Sequence, residues 1–177
     1  MDWVLITGAS RGIGAGIAKK LAGAGFNLIL WARNESDLTA VASECRALGV
    51  TAKVARVDVS NADSVASAGA ATLGDMDSLR GCVINAGAAT FDKISRFSND
   101  AWRDVIAVNL DGAFFTLKAA LPLLERRPYS QVIALGSQAA LFGFEEQAGY
   151  CASKSGLYGL IETVRREKRS SGVRVSN

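Results

Sequence analysis

Eight residues near the amino terminus, Thr7-Gly8-Ala9-Ser10-Arg11-Gly12-Ile13-Gly14, constrain the fold more than any other stretch. They join the apolar run Trp3-Val4-Leu5-Ile6 to a segment with Ile13, Ile17 and Leu21 on one helical face, a pattern that predicts strand, glycine turn, helix. Glycines at 8, 12 and 14 keep side chains out of the turn, so a ligand's phosphates can reach backbone N–H groups. A helix starting near Gly12 points its positive end into the same gap, which suits an anion. The spacing G-x-x-x-G-x-G is neither G-x-G-x-x-G nor G-x-x-x-x-G-K-[ST]. Taken alone it also fits a turn that only lets helix and strand pack closely.

The rest of the chain repeats that alternation. Buried strands are predicted at Phe26 to Trp31, Ala52 to Val57, Cys82 to Ile84, Gln131 to Leu135 and Val173 to Val175. Asn34 with Asp37, and Ser60 with Asp63, are read as caps opening helices that run to about Leu48 and Leu73. A long helix is expected from Ser98-Asn99-Asp100, with Leu110, Phe114, Leu117, Leu121 and Leu124 as its apolar stripe and a kink or early end at Pro122. Another is expected from Tyr150 to about Lys168. Strands alternating with helices imply a doubly wound α/β fold: about six parallel strands in a three-layer α/β/α arrangement, covered on both faces. At 177 residues one domain is expected over 1–177.

In such sheets ligands bind beyond the carboxyl ends of the strands, where the polar residues are Thr7, Arg33, Asp58, Asn85 and Ser137. Strand ends carry turn residues in any case, so each alone is equally compatible with a structural role. The chain has no histidine, which removes the usual zinc ligand and the commonest general base, and no metal site is expected. Three widely spaced cysteines suit reduced thiols in a cytoplasmic protein. No apolar run approaches a membrane span, and the net charge of +3 is concentrated at a helix end, at Arg165-Arg166-Glu167-Lys168-Arg169; neither membrane nor nucleic acid is an expected partner. Acid–base chemistry therefore falls to other side chains. Tyr150 and Lys154 share a helical face, and a lysine cation beside a tyrosine favours the tyrosinate. A packed tyrosine followed by an exposed lysine would show the same spacing.

Together these residues resemble the short-chain dehydrogenase/reductase family in its single-domain branch. The resemblance is carried by the Thr7–Gly14 turn, Asp58-Val59, Asn85-Ala86-Gly87, Asn109, Ser137 and Tyr150-Cys151-Ala152-Ser153-Lys154. It implies a Rossmann-type fold and catalytic roles for Asn109, Ser137, Tyr150 and Lys154. Tyr150 would give its proton to a carbonyl oxygen that Ser137 holds, Lys154 would hold the nicotinamide ribose, and Asn109 would anchor a proton-relay water. Cofactor contacts are implied at Gly8, Ser10, Arg11, Gly12, Ile13, Gly14, Arg33, Asp58, Val59, Asn85, Ala86, Gly87, Tyr150 and Lys154. Arg33 after the second strand, with Arg11 in the glycine turn, favours NADP(H) and its 2′-phosphate, while Glu35 keeps NAD(H) as the alternative.

The family continues beyond a sixth strand, so the final strand and the helices covering the substrate are expected to be missing here. Two readings follow: an NADP-dependent oxidoreductase of ketones, aldehydes or alcohols, and a shortened nucleotide-binding or scaffold module. Leu141, Phe142 and Phe144 hint at an apolar substrate. The small-residue row Ala152, Gly156 and Gly159 and the long helix suggest a homodimer or homotetramer.

Overall fold

A computed structural model describes residues 2–177. The strands are β1 (Trp3–Thr7), β2 (Asn27–Ala32), β3 (Ala52–Arg56), β4 (Gly81–Ile84), β5 (Ser130–Ala134) and β6 (Val173–Ser176). They form one all-parallel sheet in the order β3-β2-β1-β4-β5-β6. The order reverses between β1 and β4, so the loops leaving these two strands part and open a crevice. The helices are α1 (Gly12–Gly23), α2 (Glu35–Ala47), α3 (Ala62–Leu73), α4 (Asn99–Ile106), α5 (Gly112–Leu124) and α6 (Ala148–Glu167). A π-helical segment, Ala107–Asp111, joins α4 to α5, and a 3-10 turn, Gln138–Ala140, follows β5.

Two cores flank the sheet. Val4, Ile6, Leu28 and Leu30 pack with Ala15, Ala18, Leu38 and Val41 of α1 and α2. Leu5, Ile29, Val132 and Val175 pack on the other side with Val65, Leu117, Leu157 and Ile161 of α3, α5 and α6. Every residue of β2 is buried, as its continuous apolar run requires, and each fully buried Leu or Ile contributes about 1.5–3 kcal/mol. Coverage on both faces does not extend across the whole sheet. Gln131 and Ile133 of β5 and Arg174 and Ser176 of β6 are exposed on the α1–α2 side, because those two helices stop short of these strands.

The helix starts divide between local and non-local causes. Asn34 caps α2 by accepting the Asp37 N–H at 3.1 Å, and Ser98 caps α4 by accepting that of Ala101 at 3.1 Å. The cap of α3 is Asn61 rather than Ser60; it accepts the Ser64 N–H at 2.9 Å, while the Ser60 hydroxyl is drawn to Asp58 at 2.6 Å. Helix α6 begins at Ala148, two residues before Tyr150.

The long helix breaks at Ala107–Asp111 and not at Pro122, which α5 passes through to Leu124. Pro122 and Lys118, the residue whose carbonyl loses its partner, both lie on the exposed side, where water can take that carbonyl. The expected apolar stripe holds at Leu117, Leu121 and Leu124, which belong to the core or pack on it, and fails at Phe114, just after the π turn. Phe114 is exposed, while Ala113, Leu117, Ala120, Leu123 and Leu124 are buried. The helix Asn99–Leu124, 26 residues counted whole, contains an 18-residue window of mean hydropathy 1.3, enough to cross a membrane by length and composition alone. Its buried residues instead pack on the sheet and on α3 and α6.

Candidate functional site

The crevice is a cavity of about 540 Å³ at the carboxyl ends of β1 to β4. Its wall gathers Gly8, Ser10, Arg11, Gly12, Ile13, Arg33, Asp58, Val59, Asn85, Ala86 and Gly87, so eleven of the expected cofactor residues meet there. Gly14, Tyr150 and Lys154 do not line it.

The three glycines act differently from one another. Gly12 (φ +55) has open space where a Cβ would sit, and it keeps the mouth of the turn clear. Gly8 (φ +65) lies so close to Asn85 and Ala86 that a Cβ would come within 2.9 Å of the Ala86 Cα. Gly14 is buried against the Gly8 carbonyl, a packing role rather than a phosphate contact. Ile13, placed on one helical face with Ile17 and Leu21 and expected as a cofactor contact, is 66% exposed and lines the cavity, and Ala15, Ala18 and Ala22 supply the buried face of α1. The first turn of α1 has no side-chain cap and no acidic residue, so its N–H groups and positive dipole end face the cavity without a competing anion.

A hydrogen-bonded bracket holds the crevice open. The Thr7 hydroxyl accepts from the backbone N–H groups of Asn85 and Ala86, both at 3.1 Å, and the Asn85 amide donates to the carbonyls of Thr7 and Gly8 at 2.9 and 3.1 Å. Asp58 accepts from the Ser60 N–H and hydroxyl through one oxygen, Oδ1. The Ser60 hydroxyl, followed by the Ser60 N–H and the nearby Arg33 charge, lowers its pKa, so it stays ionised. Arg33 and Arg11 stand on the wall as exposed cations. The acidic residue beside them is Asp37, not Glu35, and its carboxylate is engaged by the Asn34 amide at 2.8 Å.

The four expected catalytic residues cluster around the start of α6. Lys154 is 7% exposed; its ammonium lies 5.7 Å from the centre of the Tyr150 ring and donates to the Leu135 carbonyl, just past β5, at 2.6 Å. Burial lowers its pKa. Lys154 is thus buried, whereas a packed tyrosine followed by a solvated lysine would leave it exposed. The Ser137 hydroxyl accepts the Ala139 N–H at 3.1 Å, and that 3-10 turn is tied to α6 by the Ser155 hydroxyl on the Ala140 carbonyl at 3.0 Å. Asn109, buried in the π segment, accepts the Ala88 N–H at 2.7 Å and donates to the Ala88 carbonyl and the Ser153 hydroxyl, both at 2.9 Å.

The family model for short chain dehydrogenases matches residues 2–177. The chain belongs to the short-chain dehydrogenase/reductase family. It is 35% identical over 173 residues to the 3-oxoacyl-[acyl-carrier-protein] reductase FabG of Staphylococcus aureus, covering 97% of this chain and 70% of that one. The Escherichia coli protein of the same name is 33% identical over 172 residues, covering 97% and 69%. Among solved structures, a metagenomic short-chain oxidoreductase in complex with NADP superposes with a TM-score of 0.94 at 35% identity, over 99% of this chain and 80% of that one. Carveol dehydrogenase from Mycobacterium avium in complex with NAD gives 0.93 at 26%, over 98% and 68%. As a member of this short-chain dehydrogenase/reductase family the chain is an oxidoreductase of alcohol and carbonyl groups that uses NAD(P). The clear space at Gly12, the uncapped helix end and the two wall cations fit such a dinucleotide.

Sequence reasoning missed several residues around the site. Ala32, Asn34, Val57 and Val108 line the cavity and adjoin residues it did name; Asp37 was seen only as a capping partner. Ser153 was named only as part of the Tyr150–Lys154 motif, and its bond to Asn109 left no signal because the partner lies 44 residues away.

Proposed function

We propose that the chain uses NADP(H) to reduce an apolar ketone or aldehyde, or to oxidise the matching alcohol. The observation carrying this reading is the buried Lys154 ammonium beside the Tyr150 ring in the first turns of α6. Arg11 and the N–H groups opening α1 hold the phosphates, Asp58 receives the adenine amino group, and Lys154 holds the nicotinamide ribose hydroxyls. The bound cofactor supplies or accepts hydride. Tyr150 gives its phenolic proton to the substrate oxygen, which the Ser137 hydroxyl holds by a hydrogen bond, and Asn109 supports the water that returns the proton.

Support for NADP over NAD comes from charge: Arg33 and Arg11 are exposed on the wall, whereas Asp37 is engaged by Asn34. Support for an apolar substrate comes from two loops around the start of α6. Phe91 and Ile94 on one and Leu141, Phe142 and Phe144 on the other are exposed, and the Asp92 N–H donates to the Glu146 carbonyl at 2.9 Å, pinning the loops together. Self-association through α5 and α6 is part of the proposal. Gly156 is already filled by Leu110 of the same chain, so the open surface there is Phe114, Tyr158 and Gly159.

The test is NADPH oxidation against a series of apolar aldehydes and ketones. Tyr150→Phe is expected to lower kcat by about 10²-fold or more while NADPH affinity stays unchanged, since the proton is given in the transition state. Binding of NADPH with no turnover of any carbonyl would favour the binding-module reading.

A further inference from the structure

Serine hydroxyls inside helices often bond back to a carbonyl one turn earlier, and Ser153 does so to Tyr150 at 2.8 Å. What sets Ser153 apart is a second bond. Its fully buried oxygen also accepts from the Asn109 amide at 2.9 Å, and the other groups of that amide grip both sides of the Ala88 peptide. Gly87, immediately before, lines the cavity, and a Cβ there would sit 3.4 Å from the Asn109 Oδ1. One unbroken chain of hydrogen bonds therefore runs from the cavity wall after β4, through the π segment, to the carbonyl of Tyr150. Among the described residues, no other side-chain hydrogen bond links these three elements.

We infer that Ser153 is a positioning residue: through Asn109 it sets where the Gly87–Ala88 wall stands relative to Tyr150 and Lys154. The π segment is the consequence of this arrangement in the backbone, since the wider turn is what brings the Asn109 amide within reach of Ala88 and Ser153 at once. Leu110 seated on Gly156, where a Cβ would come within 2.8 Å, holds the same segment against α6 from the other side. The inference rests on the catalytic reading of Tyr150 given above.

The variants to compare are Ser153→Ala, Asn109→Ala and the double variant, each in the full chain. Alanine is a good helix former, so Ser153→Ala is expected to fold. Its expected signature is amide exchange at Ala88 about tenfold faster, on the scale of one lost buried hydrogen bond, with NADPH Kd within about twofold. With an apolar carbonyl substrate, kcat falls about tenfold at unchanged KM. In the Asn109→Ala background Ser153→Ala adds no further loss, because the two act as one chain. Unchanged Ala88 exchange, or kcat losses that simply multiply, would overturn the inference. If the unmutated protein turns over no carbonyl, the catalytic reading fails, and Ala88 exchange still decides whether Ser153 positions the wall.

Discussion

Replacing Lys154 with methionine is expected to make the folded protein more stable at neutral pH, even as it removes the group proposed to hold the ribose. The side chain is 7% exposed, and its ammonium has the Leu135 carbonyl as a partner but no carboxylate. Two effects oppose each other. Methionine, of similar length and apolar, relieves a buried charge whose effective cost is several kcal/mol. It also gives up a charge-assisted hydrogen bond and leaves Leu135 short of a donor, a loss of about 1–3 kcal/mol. The direction of the pKa decides which is larger: burial lowers it from 10.5, so on balance the fold disfavours the ammonium. The methionine variant is therefore expected to melt at a higher temperature than the unmutated protein at neutral pH.

The sign of the pH dependence is fixed by the same shift. A lowered native pKa means that, from that value up to 10.5, the unfolded chain holds more protons than the native one, so stability rises as pH climbs through that window. Below the window the penalty is complete. Melting curves of the two proteins across this range should therefore show their widest gap at neutral pH and a closing gap as 10.5 is approached. A methionine variant that melts lower at neutral pH, or a gap that does not change with pH, would refute the reasoning. A buried cation kept at a cost to stability is itself an argument that Lys154 serves a function.

Two further outcomes are expected. Arg33→Asp should weaken NADPH binding about tenfold to a hundredfold while leaving NADH unchanged or tighter, measured by nicotinamide fluorescence, and the effect should shrink with added salt because Arg33 is exposed; equal losses for both cofactors would remove the 2′-phosphate assignment. Glu146 has φ +62, a conformation that costs a side-chain-bearing residue about 1 kcal/mol, so Glu146→Gly should raise Tm by a degree or two with the Asp92–Glu146 backbone bond intact.

The sheet was legible because its signals are local: apolar runs of strand length, separated by caps and glycines, place all six strands to within a residue or two. The cap at Asn34 and the helix start at Ser98 were read correctly, and the cap of α3 was read one residue early, where Asp58 draws the Ser60 hydroxyl away. The stripe on α5 was legible at Leu117, Leu121 and Leu124, which belong to the core or pack on it, and failed at Phe114, just after the π turn. The cavity wall was legible as the set of strand ends, since parallel topology alone brings those residues to one edge. The separate reasons for Gly8, Gly12 and Gly14 were not, because each depends on which backbone lies opposite.

The same distinction explains why the hydrogen bonds in the deepest part of the site are silent in the sequence. Thr7, Asn85, Asn109 and Lys154 all spend their polar groups on backbone atoms of the strand-end segments: Val83, Asn85 and Ala86 for Thr7, Thr7 and Gly8 for Asn85, Ala88 for Asn109, Leu135 for Lys154. A backbone carbonyl or N–H has no letter of its own, so no pattern of residue types announces these bonds. They nonetheless hold the loops after β1, β4 and β5 at fixed distances, and the buried groups making them have few other ways to be satisfied. The residues that carry chemistry at such an edge are found from their types and spacing; the bonds that keep them aligned are found only once the chain is folded, as the Asn109–Ser153 bond was.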